Sequence, residues 1–479
     1  MSGRGRSRWA GGLAVGAIAC AALPIVASQA RGETLESALM QAYQNNPTLN
    51  SQRASVRATD ESVPQALSGY RPRITITASG GEQSLSSTSK VVTVSTPLNS
   101  PATYFTQSGY NAPYGAGVTT TQTLFNGFQT ANKTRQAEAQ VLAARATLRV
   151  TEQTVLLSAV TAYMNLLRDS AILDLQRRNV EVLQEQLRQV RDRFNVGEVT
   201  RTDVAQAESS VAAGRSQVLL AEANYTASRA TYRQVIGNEP GKLTPATPVD
   251  RFSPHNLPGA VAVGSANNPA VNTAQYNVDV ALQQVKVAEG ALYPTVSVQG
   301  AFTQNYLSPQ SLSVMNSYNA SVLGTLSVPI YQGGAEYSAI RQSKEVLGQK
   351  RLDLDTARDQ VRQTVVQSWG QLDAAKGNIE ATRAQVQAAE IALNGVREEA
   401  RVGQRTTLDV LNAQQALVNA RVALVTAQHD RVVASYTLLS SVGRLSPQVL
   451  GLSVPDYNPT VHYQQVRDSW AGVRTPDGR

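Results

Sequence analysis

Residues that could perform chemistry are few in this sequence, and they lie far apart. The chain of 479 residues has a single cysteine, Cys20, and three histidines, His255, His429 and His462. A structural zinc site takes four Cys or His ligands at close spacing, so a Cys/His zinc cluster is excluded. His429 stands among polar residues of a helical segment, where we expect an exposed side chain. No converging nucleophile, metal ligands or acid–base pair is present, which argues against an enzyme and against a cofactor.

Composition argues against other classes of protein as well. Charged residues make up 16% of the chain, whereas soluble globular proteins carry about 25%. The net charge of +8 is small for this length and basic residues alternate with acidic ones, so no nucleic-acid partner is expected. Gly115–Gly117 lies within a predicted strand that no helix follows, which disfavours a dinucleotide loop. Glu398 and Glu399 diverge around a helix, and we interpret them as part of a solvated face.

The N-terminus has the layout of a secretory signal. Three arginines precede an apolar stretch of small residues from Trp9 to Val26, and Ser28 and Ala30 then place small residues at the two positions that a signal peptidase reads. This pattern predicts a signal peptide over residues 1–30. An uncleaved anchor is one alternative, and a lipid-anchored Cys20 is another, although the four residues ending at Cys20 form a poor lipoprotein box. No later segment has 18 consecutive apolar residues, so a transmembrane helix is not expected in the mature chain.

The sequence contains an internal duplication. Val196-Gly197 recurs as Val402-Gly403, and Asn45–Pro47 recurs as Asn267–Pro269. We therefore predict two tandem repeats of one structural unit. The predicted divisions are repeat 1 at 31–237, a connector at 238–262, repeat 2 at 263–443 and a C-terminal segment at 444–479.

The sequence of each repeat predicts the same series of secondary-structure elements. Alternation of apolar and polar residues from Ile74 to Ser79 predicts a strand, and the polar stretch from Glu82 to Pro113 is expected to be a loop. A short helix, Asn46 to Ser68 in repeat 1, is expected to stack end to end with the returning helix. The predicted elements of the two repeats are hairpins at about 72–125 and 294–331, long helices at 129–194 and 336–400, and returning helices at 202–236 and 407–442.

The long helices are too long for a globular core. Each would span about 100 Å at 1.5 Å per residue. Apolar residues recur every seven positions, as at Leu166 and Leu173, which predicts supercoiling around neighbouring helices. A two-stranded coiled coil is the simple alternative, but the abundant small residues favour a wall of helices around a hollow. The Pro-rich connector and the segment after Ser446 are expected to be non-helical and equatorial, and the tail from Arg467 is expected to be disordered.

Four strands cannot close a barrel, because closure takes about eight. An open sheet would leave unpaired edges in lipid, which is prohibitive. Three copies would supply twelve strands, a number that fits an outer-membrane barrel. Ile74, Ile76, Val296 and Val298 would then face lipid, and the Thr, Ser and Gln positions would face the lumen. A soluble β-layer in a periplasmic scaffold is the alternative.

The order of these elements and several short motifs resemble the TolC family of outer-membrane efflux proteins over about residues 33–452. The motifs are Tyr70-Arg71-Pro72, Leu124–Gly127, Phe194–Gly197 with Thr202–Val204, and Val402-Gly403 with Thr406–Leu411. The resemblance implies an α+β membrane protein, a trimeric twelve-stranded barrel continued by a long α-helical coiled-coil barrel in the periplasm. It also implies docking by a periplasmic adaptor and by an inner-membrane pump of the RND or ABC type. The absence of a good lipoprotein box favours the branch that serves drug efflux and type I secretion.

The resemblance further implies a gate where the helices turn. Arg405 would donate to Thr202 and Asp203 on the tip of the other repeat and hold the tunnel closed. Ala400 departs from the family, which often has a tyrosine there that strengthens the closure. Adaptor docking is implied at the turns, Val196 and Gly197 in repeat 1 and Val402 and Gly403 in repeat 2.

The narrowest ring of the family corresponds here to Asp409 and Asn412. Only Asp409 is acidic, so a trimer would present three carboxylates, and we expect cation selectivity and a block by divalent cations that is weaker than with two acidic positions. The alternative role for Asp409 is that of a carboxylate at a helix N-terminus. The function expected from all of this is a passive exit duct of an efflux pump or type I secretion system. A periplasmic coiled-coil scaffold without a pore is the alternative.

Overall fold

The structure is a computed structural model that describes residues 33–91, 103–306, 316–476 and 478. The predicted signal peptide over 1–30, including Cys20, lies outside the described residues. Among the helices in the described ranges, none combines the length and the hydropathy needed to cross a membrane.

Each repeat supplies helices in the predicted order. The helices of repeat 1 are α1 (Leu35–Asn45), α2 (Pro47–Asp60), α3 (Ser62–Leu67), α4 (Gln129–Asn195) and α5 (Arg201–Ile236). The later helices are α6 (Leu257–Asn267), α7 (Pro269–Glu289), α8 (Ala335–Arg401), α9 (Thr407–Ser441), α10 (Pro447–Leu450) and α11 (Pro459–Val466). Helices α4 and α8 have 67 residues each, and each therefore spans about 100 Å. The helix expected over Asn46 to Ser68 is divided at Glu61 into α2 and α3.

Two asparagines join the short helices to the returning helices. The side-chain oxygen of Asn46 caps α2, and its amide nitrogen donates to the carbonyl oxygen of Val235 near the end of α5, at 2.9 Å. Asn268 caps α7 and donates in the same way to the carbonyl oxygen of Ser441 in α9, at 2.8 Å. Each repeat therefore has the expected second rod beside its long helix.

Six strands lie at one end of these rods within the described residues. They are β1 (Arg73–Gly80), β2 (Gln83–Val91), β3 (Thr103–Asn111), β4 (Tyr114–Asn126), β5 (Thr295–Tyr306) and β6 (Asn316–Ser327). Four form an antiparallel sheet in the order β1-β4-β5-β6, and β2 pairs with β3. The expectation of a loop over Glu82–Pro113 is wrong. Its polar residues suggest a loop, but threonine and tyrosine are good strand formers, and a hairpin exposed on both faces needs no apolar side.

The strand register places most apolar side chains on one face of the sheet and most polar ones on the other. Directly paired residues share a face of the sheet, so the pairings of Val118 with Ile76 and with Phe302 place all three on one face. That face carries Ile74, Ile76, Val118, Val296, Val298, Phe302, Val322 and Leu326. The opposite face carries Thr75, Thr77, Thr119, Thr121, Thr303, Asn319 and Ser321, together with the apolar Leu323. Contrary to the expectation for polar residues, Thr120, Gln122 and Gln304 lie on the apolar face. Ile74 and Ile76 are 67% and 74% exposed, as expected for a face that meets lipid.

The largest buried cluster lies midway along the rods. Tyr163 of α4 and Tyr232 of α5 are fully buried there. The Tyr163 hydroxyl lies 2.8 Å and 2.6 Å from the carbonyl oxygens of Glu33 and Thr244. Tyr232 donates to the Glu33 carboxylate at 2.6 Å. Burial and the Glu33 carboxylate raise the pKa of Tyr232, which keeps its hydroxyl protonated as a donor. These bonds hold the residues around Glu33 and the connector to α4 and α5.

Two segments expected to be non-helical contain helices. In the connector, α6 begins after Asn256, whose side chain accepts from the backbone nitrogen of Gly259, and Pro258 lies in the first turn. A proline in the first turn removes no helical hydrogen bond, so a Pro-rich sequence is compatible with a helix there. Helices α10 and α11 begin in the same way, after Ser446 and Asn458 respectively. Arg467, where disorder was expected to begin, forms an ion pair with Glu138 of α4 at 3.7 Å.

Candidate functional site at the helix tips

Both long helices end in the same glycine-dependent turn. Gly197 and Gly403 have φ angles of 83° and 82°, a left-handed conformation that glycine adopts without a Cβ clash. The backbone nitrogen of the next residue then donates back to the last turn, from Glu198 to Arg193 and from Gln404 to Glu399, each at 2.9 Å. This closure pushes the preceding valines, Val196 and Val402, outward at the apex, where they are 71% and 69% exposed.

The returning helices begin with identical capping boxes. In repeat 1, one carboxylate oxygen of Asp203 accepts from the backbone nitrogen and the hydroxyl of Thr200, at 2.9 Å and 2.7 Å. In repeat 2, Asp409 accepts from the same atoms of Thr406, at 3.0 Å and 2.9 Å. These hydrogen bonds hold the pKa of both aspartates below the usual range. Asp409 therefore caps α9, which is the alternative role considered for it above. Only one of its two carboxylate oxygens takes part in the cap.

Arg405 has its partner within its own tip. Its Nε donates to the Glu399 carboxylate at 2.8 Å, and both side chains are about half exposed, at 51% and 46%. This hydrogen bond raises the pKa of Arg405 further. Within the single chain, therefore, Arg405 does not contact Thr202 or Asp203. The interpretation of Glu399 as part of a solvated face misses this pairing, which the sequence alone does not reveal.

The tips of the two repeats face each other across a cavity of about 1110 Å³. Asp203 lines the cavity from repeat 1, and Arg405 and Gly403 line it from repeat 2. Thr202 is exposed at the start of α5, and Asn412 is exposed one turn beyond Asp409 on α9. The structure thus brings the arginine and the aspartate of the expected gate to one cavity, without joining them.

A partly buried network of hydrogen bonds joins the repeats next to this cavity. Arg397 of α8 donates to the side-chain oxygen of Gln414 in α9 at 3.0 Å, and Gln414 donates to Asn179 of α4 at 3.2 Å. Asn179 and Gln414 are 4% and 7% exposed. Polar networks at such burial fix the arrangement of the helices they join. The sequence carries no signal for this network of hydrogen bonds, because its three residues come together only through packing.

His429 departs from expectation. It is 8% exposed rather than at the surface, and its Nδ1 lies 2.8 Å from the Asp430 carboxylate. Its polar neighbours in sequence lie on other sides of α9, whereas its own position faces the packed side of the helix. In the described part of the chain, no group of three or more His, Cys, Asp or Glu side chains is arranged to hold a metal ion.

Comparison with known proteins identifies the family. The sequence profile of the family described as "Outer membrane efflux protein" matches residues 38–238 and 265–444. The chain is 43% identical over 468 residues to outer membrane efflux protein BepC of Brucella suis biovar 1, with 98% of each chain covered. It is 26% identical over 440 residues to outer membrane protein TolC of Escherichia coli K12, with 88% of this chain and 85% of TolC covered.

The fold also matches solved channels. The CmeC outer membrane channel of Campylobacter jejuni superposes with a TM-score of 0.70 at 15% identity, covering 91% of this chain and 89% of CmeC. The predicted fold class, a β-sheet at the membrane continued by long periplasmic helices, is confirmed. Proteins of this kind are channels. The chain is an outer-membrane exit channel with its helical part in the periplasm, and it belongs to the outer membrane efflux protein family.

Proposed function

We propose that three copies of this chain close a twelve-stranded barrel and act as a passive exit duct for efflux or type I secretion. The observation that carries this proposal is the sheet order β1-β4-β5-β6, whose edge strands β1 and β6 have no partner among the described residues. An apolar sheet face with open edges is unstable in lipid unless neighbouring copies pair with those edges. The matches to 38–238 and 265–444 support the division into two repeats, 31–237 and 263–443.

The native mass of protein extracted by mild detergent from isolated outer membranes tests the assembly. We expect a trimer, because twelve strands close a barrel whereas four cannot. A monomer in the detergent extract, or a soluble periplasmic species, would instead support the scaffold without a pore.

The partners proposed for this duct are a periplasmic adaptor and an inner-membrane pump of the RND or ABC type. The exposed apex valines Val196 and Val402, with Gly197 and Gly403, form two like surfaces that an adaptor could contact in alternation. The pump supplies the energy, and this chain acts as a conduit without catalysing a reaction.

In the proposed gate, Arg405 exchanges between two sets of hydrogen-bond partners. In the closed state, Arg405 reaches Thr202 and Asp203 on the facing tip. In the released state it returns to Glu399, the position seen in the single chain. Exposed ion pairs of this kind are individually weak, because water and salt screen them. Three of them can hold the tips together, yet a docking adaptor can still break them.

Arg405→Ala and Glu399→Ala are expected to act in opposite directions. Loss of Arg405 removes the closed-state bond and raises the conductance of the reconstituted channel. Loss of Glu399 removes the competing partner and favours the closed state, with a modest effect because exposed ion pairs are weak. Single-channel recording in planar bilayers measures both effects.

Glu398→Ala is the matched control, because Glu398 pairs with Arg401 in the same helix and not with Arg405. The double variant Arg405→Ala with Glu399→Ala should conduct like Arg405→Ala alone. Wild-type conductance in Arg405→Ala would remove Arg405 from the gate. If Glu399→Ala changes the conductance no more than Glu398→Ala does, Glu399 does not compete for Arg405. The role of Arg405 in the gate would then still stand.

Asp409 is proposed to line the narrowest ring with three carboxylates. Asp409→Asn is expected to weaken the block by divalent cations, and Asn412→Asp to strengthen it by adding a second acidic ring. Current recorded with increasing Mg²⁺ measures both changes. Equal block in Asp409→Asn and the wild type would leave Asp409 as a helix cap only.

The lowered pKa of Asp409 sets the pH dependence of this ring. A lowered pKa keeps the carboxylate charged until the pH falls through that lower value. Cation selectivity should therefore persist at about pH 4, where an ordinary aspartate with a pKa of about 3.9 is half protonated. Reversal potentials in a salt gradient measure this, and a loss of selectivity that follows an ordinary aspartate would contradict it.

A further inference from the structure

The C-terminal segment ends against the base of the sheet. Arg71 donates to the carbonyl oxygen of Ser469 at 2.6 Å, and its guanidinium lies 4.5 Å from the ring centre of Trp470. One arginine therefore holds a segment that lies 398 positions away in the chain. This contact serves none of the gate, ring or barrel roles described above.

The position of Arg71 sets the level of Trp470 relative to the membrane. Strand β1 begins two residues after Arg71, and Gln122 of β4 donates to the carbonyl oxygen of Tyr70 at 3.0 Å. Trp470 thus lies where the lipid-facing sheet ends and the periplasmic helices begin. Because the chain is an outer-membrane channel, this level corresponds to the periplasmic boundary between lipid and water.

Large exposed side chains cluster at the same level. Tyr70 and Tyr293 precede β1 and β5, and each is 52% exposed. Tyr331, shortly after β6, is 79% exposed, and Trp470 itself is 72% exposed. Side chains of this type prefer the lipid headgroup region, where the ring is shielded and its polar atom stays hydrated. Trp470 is the member of this group that comes from the C-terminal segment.

We propose that Trp470, held by Arg71, anchors the C-terminal segment in the phospholipid headgroups of the periplasmic leaflet. The chemistry of the pair fits that partner. The indole ring can enter the glycerol region, and a guanidinium is well suited to bind phosphate while it stacks on an aromatic ring. The proposal rests on the outer-membrane location of the sheet.

Tryptophan fluorescence tests the proposal directly. The sequence has three tryptophans, at 9, 369 and 470. With Trp9→Phe throughout, Trp369→Phe leaves Trp470 as the reporter, and Trp470→Phe leaves Trp369. Trp369 is half-buried in α8, about 50 Å from the helix start nearest the sheet. The proteins are reconstituted in phosphatidylcholine vesicles with bromine atoms on the acyl chains close to the glycerol.

We expect bromine to quench Trp470 severalfold more strongly than Trp369. Adding Arg71→Ala to the Trp470 reporter should reduce the quenching towards the Trp369 level. Equal emission of Trp470 in brominated and unbrominated vesicles would overturn the lipid contact. A blue-shifted spectrum without quenching would place the ring between protomers and would overturn it as well. Full quenching that persists in Arg71→Ala would overturn the role of Arg71.

A third reporter separates this proposal from the placement of the sheet. Val322 is 82% exposed on the apolar face of β6, so Val322→Trp in a background without the native tryptophans should be quenched in the same vesicles. Quenching at position 322 without quenching at 470 rejects the anchor alone. Absence of quenching at both positions rejects the membrane placement on which the anchor rests.

Discussion

Gly127→Ala is expected to prevent accumulation of the folded channel in the outer membrane, whereas Gly333→Ala is expected to leave most of it assembled. The two glycines occupy equivalent positions, where a β-strand passes into a long helix. They have φ angles of 62° and 71°, so alanine is strained at both. This shared strain costs about 1 kcal/mol or somewhat more.

The difference between them arises from what surrounds each glycine. A Cβ at Gly127 would collide with the backbone carbonyl of Gly290, and it would lie 2.8 Å from the Cβ of Tyr293. A Cβ at Gly333 would meet nothing within 4 Å in the chain. Backbone cannot move aside as a flexible side chain can. Gly127→Ala must therefore separate the junction of repeat 1 from the end of α7, which costs several times the φ strain alone.

Trimer band intensity on non-denaturing gels of outer-membrane extracts measures the outcome. Gly127→Asn distinguishes the two causes, because asparagine tolerates positive φ but still carries a Cβ. We expect Gly127→Asn to fail as Gly127→Ala does. Rescue by asparagine, or equal accumulation of Gly127→Ala and Gly333→Ala, would show that contact with Gly290 is unimportant.

The regular parts of the fold could be predicted because their signals are local. The segment that forms α4 has no proline or glycine and a seven-residue apolar repeat, which permit little except a long supercoiled helix. Thr200 and Thr406, each followed by an aspartate three residues later, mark the starts of α5 and α9. The alternation around Ile74 and Ile76 likewise separated the lipid-facing side of the sheet from the other side.

Features that depend on packing could not be predicted in this way. His429 has polar neighbours in sequence, but the supercoil turns it towards the packed side of α9. The Glu399–Arg405 pair crosses a turn whose course is set by Gly403, so a helical wheel does not bring the two together. The link from Gln414 to Asn179 joins different repeats. Each of these requires the tertiary arrangement first.

Arg145→Met is expected to release α11 from the first repeat at neutral pH. Arg145 contacts α11 at two places: it lies 3.5 Å from the carbonyl oxygen of Pro459 and 5.1 Å from the ring centre of Tyr463. It also lies 3.7 Å from the carboxylate of Asp60, which is fully buried beneath α11. The second partner of this carboxylate is His462 of α11, whose Nδ1 lies 3.0 Å away.

Loss of Arg145 leaves a buried carboxylate with one partner that is not permanently charged. Breaking a buried ion pair from one side costs about 3–5 kcal/mol, because the remaining charge stays desolvated. Methionine keeps much of the packing volume, so the effect reports the charge. The length of time that residues 459–466 resist hydrogen exchange or proteolysis measures the docking of α11.

Mild acid should restore docking in this variant. Burial raises the pKa of Asp60, while His462 and Arg145 lower it, so removal of Arg145 raises it further. A raised carboxyl pKa means that its contribution to stability is present at low pH and is lost as the pH rises through the folded-state value. Protection of α11 in Arg145→Met should therefore be greater at pH 5 than at pH 8.

Asp60→Asn is the matched suppressor, since a neutral amide needs no cation. The double variant Arg145→Met with Asp60→Asn should regain most of the protection of α11 and lose its dependence on pH. Arg149→Met, an exposed arginine on the same helix, should change neither. Wild-type protection in Arg145→Met at pH 8, or no gain from Asp60→Asn, would show that the buried charge does not control α11. Because Trp470 lies four residues beyond the end of α11, release of the helix should also move Trp470 away from Arg71, and the two measurements then report on the same C-terminal segment.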